Sequence, residues 1–258
     1  MNMKKIIHTD TAPKAIGTYS QAVSIENLTF ISGQIPLDPE TMNIVDGDFK
    51  DRAHRGFKNL SNIAKAGGVF KATIGLWEEF GDLRVRDTPI SEQAILGAAM
   101  GAAMTGLKPI AEIMFSDFLA VCWDIVSNQI AKSRYMTGGQ VDMPLVIRTA
   151  NGGGARFGAQ HSQSVENWAM MIPGIKVVAP STPADVKGLL AAAIRDPDPV
   201  IFFEQKSLYA VKGNVPEGEY IDEIGKAKVI RTGEDVTILA LALMVPRALE
   251  AADRLQIE

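Results

Sequence analysis

The chain has 258 residues, of which 47% are apolar and 22% charged, with a formal net charge of −4 and a pI near 5.5. That length suits one large α/β domain or two modest ones, and that charge excludes a basic field for nucleic acid or an anionic membrane surface. The single cysteine, Cys122, excludes an internal disulfide and reads as a buried, reduced thiol of a cytoplasmic protein.

Residues 4–9 predict a short strand. Two more strand-like runs follow, at residues 22–25 and 28–31, with Glu26 and Asn27 between them as a hairpin turn. Pro36, Asp38 and Pro39 break the pattern. From Asp48 the period changes: Phe49, Ala53, Phe57, Leu60, Ile63 and Ala64 recur at helical spacing, with Gly67 and Gly68 as the stop. The first 68 residues therefore read as a small α+β segment of order β-β-β-α.

After Gly68 short apolar runs alternate with helical stretches. Strands are expected at residues 110–114, 145–149, 176–179, 200–203 and 236–241. Helices are expected at residues 92–105, 118–134, 164–171, 183–195 and 247–255. Strands with little alternation, separated by helices, imply an α/β fold with a parallel sheet covered on both faces. The chain ends three residues after its last expected helix, which reads as a cut in a series of βα units. Residues 94–107 are too short, and too rich in Gly and Ala, for a membrane span. Lys4 and Lys5 are followed by His8, Thr9 and Asp10 rather than by the apolar stretch of a leader.

The helix from residue 92 carries Gly97, Ala98, Ala99, Gly101, Ala102 and Ala103, an almost bare surface. It fits equally a helix packed on its own sheet and one at a subunit or cofactor interface. Ser91 and Glu92 at its start suit helix capping and the helix dipole. Phe118 suits a core aromatic. His161 follows the glycine-rich loop of residues 151–158, which is not a Walker loop because no Gly-Lys-Ser/Thr follows.

A family resemblance gives these residues a second meaning. Asp87-Thr88-Pro89-Ile90-Ser91-Glu92 is followed in order by further motifs. They are Gly106-Leu107-Lys108-Pro109-Ile110-Ala111-Glu112-Ile113-Met114, Tyr135-Met136-Thr137-Gly138-Gly139, Gly158-Ala159-Gln160-His161-Ser162-Gln163-Ser164 and Val177-Val178-Ala179-Pro180-Ser181-Thr182-Pro183. Together they resemble the transketolase-like pyrimidine-binding domain in the β subunits of thiamine-diphosphate-dependent 2-oxoacid dehydrogenases of the pyruvate, acetoin and branched-chain types. The resemblance is nearly unbroken from about Val69 to Tyr209 and looser to the C-terminus. It implies that Glu92 is the carboxylate that hydrogen-bonds the aminopyrimidine ring and activates the cofactor. It implies further that Phe118 stacks on that ring, that Met114 and Ile90 form apolar walls, and that His161 handles protons at the mouth of the site. The diphosphate and its Mg2+ belong to an α subunit in this family, and their Gly-Asp-Gly motif is absent from this sequence. The implied partners are that α subunit, in an α2β2-type assembly, and a lipoyl-bearing acyltransferase. By the same resemblance this sequence lacks the family's N-terminal part and C-terminal domain.

The first 68 residues resemble something else. Ala12-Pro13-Lys14-Ala15-Ile16-Gly17-Thr18-Tyr19-Ser20-Gln21-Ala22 and Ile31-Ser32-Gly33-Gln34-Ile35-Pro36-Leu37-Asp38-Pro39 are similar to the opening motifs of the RidA family of imine deaminases. Tyr19 and Ser32 match pocket positions of that family, while its substrate-gripping arginine belongs to a second half that this chain lacks. The sequence thus reads as a chimera of residues 1–68 and 69–258. Three functions follow: a dehydrogenase β component inactive alone, an enamine/imine deaminase, and a non-catalytic chimera.

Overall fold

The computed structural model describes residues 4–7, 10, 14, 22–25, 28–31, 38–43, 45, 46, 73, 75–86, 88 and 90–256, with the backbone alone for 4–7, 22–25 and 28–31. The chain divides into two compact units, Met1–Ser91 and Glu92–Glu258.

In the first unit β1 (Lys4–Ile7), β2 (Ala22–Ile25) and β3 (Leu28–Ile31) form an antiparallel sheet in the order β1-β2-β3. Ile25 pairs with Leu28, and the expected turn residues 26 and 27 between them lie outside the described residues. At the expected break, Asp38 Oδ1 accepts the backbone N–H groups of Glu40 (3.0 Å) and Thr41 (3.1 Å), a turn held by its own side chain. A short helix, α1 (Leu76–Phe80), was not expected. The helix expected over residues 49–64, the expected boundary at 68/69, Tyr19 and Ser32 lie outside the described residues.

The second unit is the expected parallel sheet. Strands β4 (Ile110–Phe115), β5 (Val146–Asn151), β6 (Lys176–Val178) and β7 (Val200–Gln205) lie in the order β4-β5-β7-β6, every pair parallel. One sheet face carries Ala111, Ile113, Ile147, Ile201 and Phe203. It packs on α2 (Glu92–Met104) and on the helical path from Ser116 to Met136. That path begins as a tight turn, widens over Ile125–Ile130 and ends as α3 (Ala131–Met136). A short helix, α4 (Glu166–Met170), adds Ala169 to this core. The other face places Val146, Val200 and Phe202 against Ala193, Leu189 and Leu190 of α5 (Pro183–Arg195). Thr182 caps α5: its side chain accepts from Asp185 N at 3.1 Å, and Asp185 Oδ2 accepts from Thr182 N at 3.0 Å.

On α2 the buried residues are Leu96, Ala99 and Ala103. The space around Gly101 is open, and Ala98 and Gly101 are exposed. One stripe of the helix therefore packs on its own sheet, and the small residues opposite are bare.

One expectation is corrected. Residues 236–241 form no strand: they run as irregular chain, with Val236 70% and Leu239 90% exposed. Their composition suits a strand, but a strand persists only where a neighbour pairs its N–H and C=O groups. Among the described residues no strand pairs with them. The closing helix, α6 (Met244–Leu255), begins three residues earlier than expected and buries none of its side chains. Among the described residues no helix is long and apolar enough to cross a membrane.

Candidate active site

Brought together at one end of the parallel sheet are the segments that follow β4, β5 and β7. The chain leaves β4 through Phe115 directly into the turn Ser116–Cys122, which presents Phe118. It leaves β5 through Asn151 into the glycine-rich loop and the short turn Ala159–His161. The rings of Phe118 and His161 meet edge to face at 5.1 Å, and the His161 ring meets that of Phe115 at 4.8 Å. Phe157 completes the cluster, 5.6 Å from Phe115. Phe118 and His161 are both half-buried.

Glu92 begins α2 and is half-buried. Its charge reaches Cys122, on the same turn as Phe118. Burial first, and the Glu92 carboxylate second, push the Cys122 thiol up to about 11. Cys122 donates weakly to the carbonyls of Phe118 and Leu119, both at 3.6 Å. A thiol so placed stays protonated and packs as a small apolar group. Among the described residues, no hydrogen bond or ion pair is formed by the Glu92 carboxylate.

Two further expected residues are exposed. Met114 lies on the exposed side of β4, alternating with buried Ile113 and Phe115. Ile90 is 69% exposed and belongs to the first unit.

The loop under His161 is held by polar groups that sequence reasoning passed over. Asn151, fully buried, accepts from Ser116 Oγ at 2.7 Å and from Val165 N at 3.3 Å, and donates to Glu166 Oε1 at 2.6 Å. Gly152 turns the chain with a φ of 83°, and a Cβ there would fall 2.2 Å from the Gln205 side chain, so only glycine fits without displacing it. Asp117 Oδ1 accepts from Gln163 N (3.1 Å) and Nε2 (2.9 Å). Lys206, in the turn after β7, donates to the His161 carbonyl at 2.7 Å. The signal available for these residues was position: each directly follows or ends a strand of the parallel sheet, the edge where ligands of open α/β sheets bind.

An open cavity of about 330 Å³ adjoins the loop, lined in part by Gly153, Gly154, Glu166, Gln205, Ser207 and Arg247. Among the described residues no group of three or more His, Cys, Asp or Glu side chains is arranged to hold a metal ion.

On the other sheet face, Arg148 makes a two-pronged bond to Glu204, Nε to Oε1 at 2.5 Å and Nη2 to Oε2 at 2.9 Å. Tyr209 Oη donates to the same carboxylate at 2.6 Å. Glu112 lies 3.5 Å from Arg148, and burial, opposed by Arg148 and aided by Glu204, raises its carboxyl above the usual range. This network joins the adjacent strands β4, β5 and β7.

The second unit is an α/β domain with an open parallel sheet whose aromatic and titratable groups lie beyond its carboxyl ends, where such sheets bind ligands. The family described as "Transketolase, pyrimidine binding domain" matches residues 59–212, and the chain belongs to it. Within that family it groups with dehydrogenase β subunits. It is 46% identical over 218 residues to 2-oxoisovalerate dehydrogenase subunit beta of Bacillus subtilis, covering 84% of this chain and 67% of that protein. It is 56% identical over 186 residues to acetoin:2,6-dichlorophenolindophenol oxidoreductase subunit beta of Cupriavidus necator, covering 72% of this chain and 55% of that protein. The chain thus spans about half the length of this last relative. A solved structure described as a split gene transketolase, inactive beta4 tetramer, superimposes with a TM-score of 0.58 at 27% identity, covering 72% of this chain and 57% of that one. Residues 9–74 match a second family, "Endoribonuclease L-PSP". The two matches overlap at residues 59–74, so the chain joins segments of two families.

Proposed function

We propose that the chain is the β component of a thiamine-diphosphate-dependent 2-oxoacid dehydrogenase, acting on a pyruvate-like substrate with acyl transfer to a lipoyl group, and inactive without an α subunit. The observation that carries this reading is the meeting of Phe118 and His161 at the carboxyl end of the sheet.

The residues present fit the aminopyrimidine half of the cofactor. A half-buried carboxylate without a partner among the described residues opens a helix, and a half-buried aromatic ring lies on the turn it faces. The cofactor, when bound, supplies the electron sink for decarboxylation. Glu92 would accept a hydrogen bond from the aminopyrimidine ring and favour a proton there. Phe118 would cover the ring and exclude water. His161, backed by Phe115 and Phe118, is placed to move a proton at the oxoacid oxygens. Ile90 and Met114 are assigned as apolar walls that a neighbouring surface covers, since both are exposed in this chain.

The diphosphate and Mg2+ are assigned to the α subunit, in an α2β2-type assembly that serves a lipoyl-bearing acyltransferase in the cytoplasm. The join between the two family segments is placed at residues 68/69, inside the overlap of the two matches.

The test is oxoacid-dependent reduction of 2,6-dichlorophenolindophenol by the chain co-expressed with an α subunit, thiamine diphosphate and Mg2+. Turnover that falls by about 10²-fold or more in Glu92→Gln supports the reading. No turnover, with the same α subunit active beside an intact β subunit, rejects it.

A further inference from the structure

Two buried charges grip the backbone of the His161 segment at residues 161 and 163. Lys206 is 6% exposed; its Nζ donates to the His161 carbonyl at 2.7 Å and lies 4.9 Å from the centre of the Phe115 ring. That same Phe115 ring is 4.8 Å from the His161 imidazole. Asp117, also 6% exposed, takes both the backbone and side-chain N–H groups of Gln163 on its Oδ1. Its Oδ2 is buried without a hydrogen-bond partner.

Neither charge is placed as packing alone would place it. Burial lowers the Lys206 ammonium below the usual lysine range, against the pull of Asp117. Burying an ammonium costs free energy, and one oxygen of the Asp117 carboxylate is left unsatisfied. Structures tolerate such groups where they fix a geometry that apolar side chains cannot.

We infer that Lys206 and Asp117 are positioning residues that fix the His161 imidazole between Phe115 and Phe118 by holding the carbonyl of residue 161 and the amide of residue 163. The inference deepens the functional reading above, because it concerns the same histidine. The two charges come from different strands, Asp117 after β4 and Lys206 after β7, while the loop they clamp follows β5. The clamp therefore closes only when those strands are in register.

Amide hydrogen exchange and the histidine ring resonances of the purified full chain test this. In Lys206→Met, a substitution of similar length, peptides over residues 158–165 are expected to exchange at least about ten-fold faster, while those over β5 and β7 exchange as before. The His161 imidazole resonance, identified by its loss in His161→Asn, is expected to move toward that of an unstructured histidine, and Lys206→Arg to restore both readouts. Unchanged exchange and an unmoved resonance overturn the inference. Equal acceleration in loop and core strands also overturns it, because Lys206 would then serve general packing. Should Lys206→Met fail to fold, Asp117→Ala is judged by the same two criteria. Neither readout needs cofactor or α subunit. A failure of the dehydrogenase reading, seen as absent turnover in the wild-type complex, is therefore told apart from a failure of the clamp.

Discussion

Phe118 and His161, which follow different strands, meet with ring centroids 5.1 Å apart and planes at 83°. Edge-to-face pairs of this kind are worth about 1 kcal/mol beyond their buried area, enough to bias where an imidazole points. In the complex with an α subunit, His161→Asn is expected to lower turnover by about 10²-fold with little change in melting temperature. Phe118→Leu is expected to raise the thiamine diphosphate needed for half-activation by about five- to ten-fold. Steady-state kinetics with varied cofactor separate the two effects. Equal losses in both variants at saturating cofactor would contradict the separate roles.

Arg148 and Glu204 form the most buried ion pair of the sheet, with side chains 15% and 10% exposed. Arg148→Met leaves the Glu204 carboxylate buried beside Tyr209 and Glu112, and is expected to destabilise the chain by about 3–5 kcal/mol at pH 7. Adding Glu204→Gln should recover part of that loss. Urea unfolding of the singles and the double gives the coupling, and purely additive losses would contradict the pairing.

Gly174 has a φ of 98°, and a Cβ there would lie 2.1 Å from the Ala131 carbonyl oxygen. Backbone cannot swing aside as a side chain can, so Gly174→Ala is expected to cost more than about 2 kcal/mol. Gly101→Ala is the contrast. The space around Gly101 is open, and alanine is the better helix former by about 1 kcal/mol, so this variant should match or exceed wild type in thermal melts.

Asp198 contributes to the pH dependence of stability. Burial pushes its carboxyl up, but hydrogen bonds from Arg134 and Lys176 outweigh this and hold it below its ordinary value of 3.8. The charged form thus favours the fold. Its contribution is present above the ordinary value and lost as pH falls through the lowered one. Wild-type stability should decline more steeply below about pH 4 than that of Asp198→Asn. Parallel curves for the two proteins would contradict the assignment.

Much of the second unit was legible because each element carried its own punctuation. Thr182, Pro183 and Asp185 announce α5, and the run 200–203 is apolar without alternation, as a central strand covered on both faces must be. Residues 236–241 have the same texture without a partner edge, and texture alone cannot supply one. Glu92, Phe118 and His161 were named through a family pattern. The ring contact joining two of them is a tertiary fact with no local trace. Lys206 and Asp117 were missed for a related reason: a lysine and an aspartate beside short turns look solvated until the fold buries them.

The sheet order β4-β5-β7-β6 also bears on how the chain comes off the ribosome. The strand that lies between β5 and β6 in space, β7, is made after both. Until Val200–Gln205 has emerged, β5 and β6 face each other across a gap one strand wide, each with an unsatisfied edge. Pairing between such distant stretches is slow, and open edges invite other chains. Both edges therefore stay open until the residues after 178 have supplied β7, and slowing translation across α5 would lengthen that exposure.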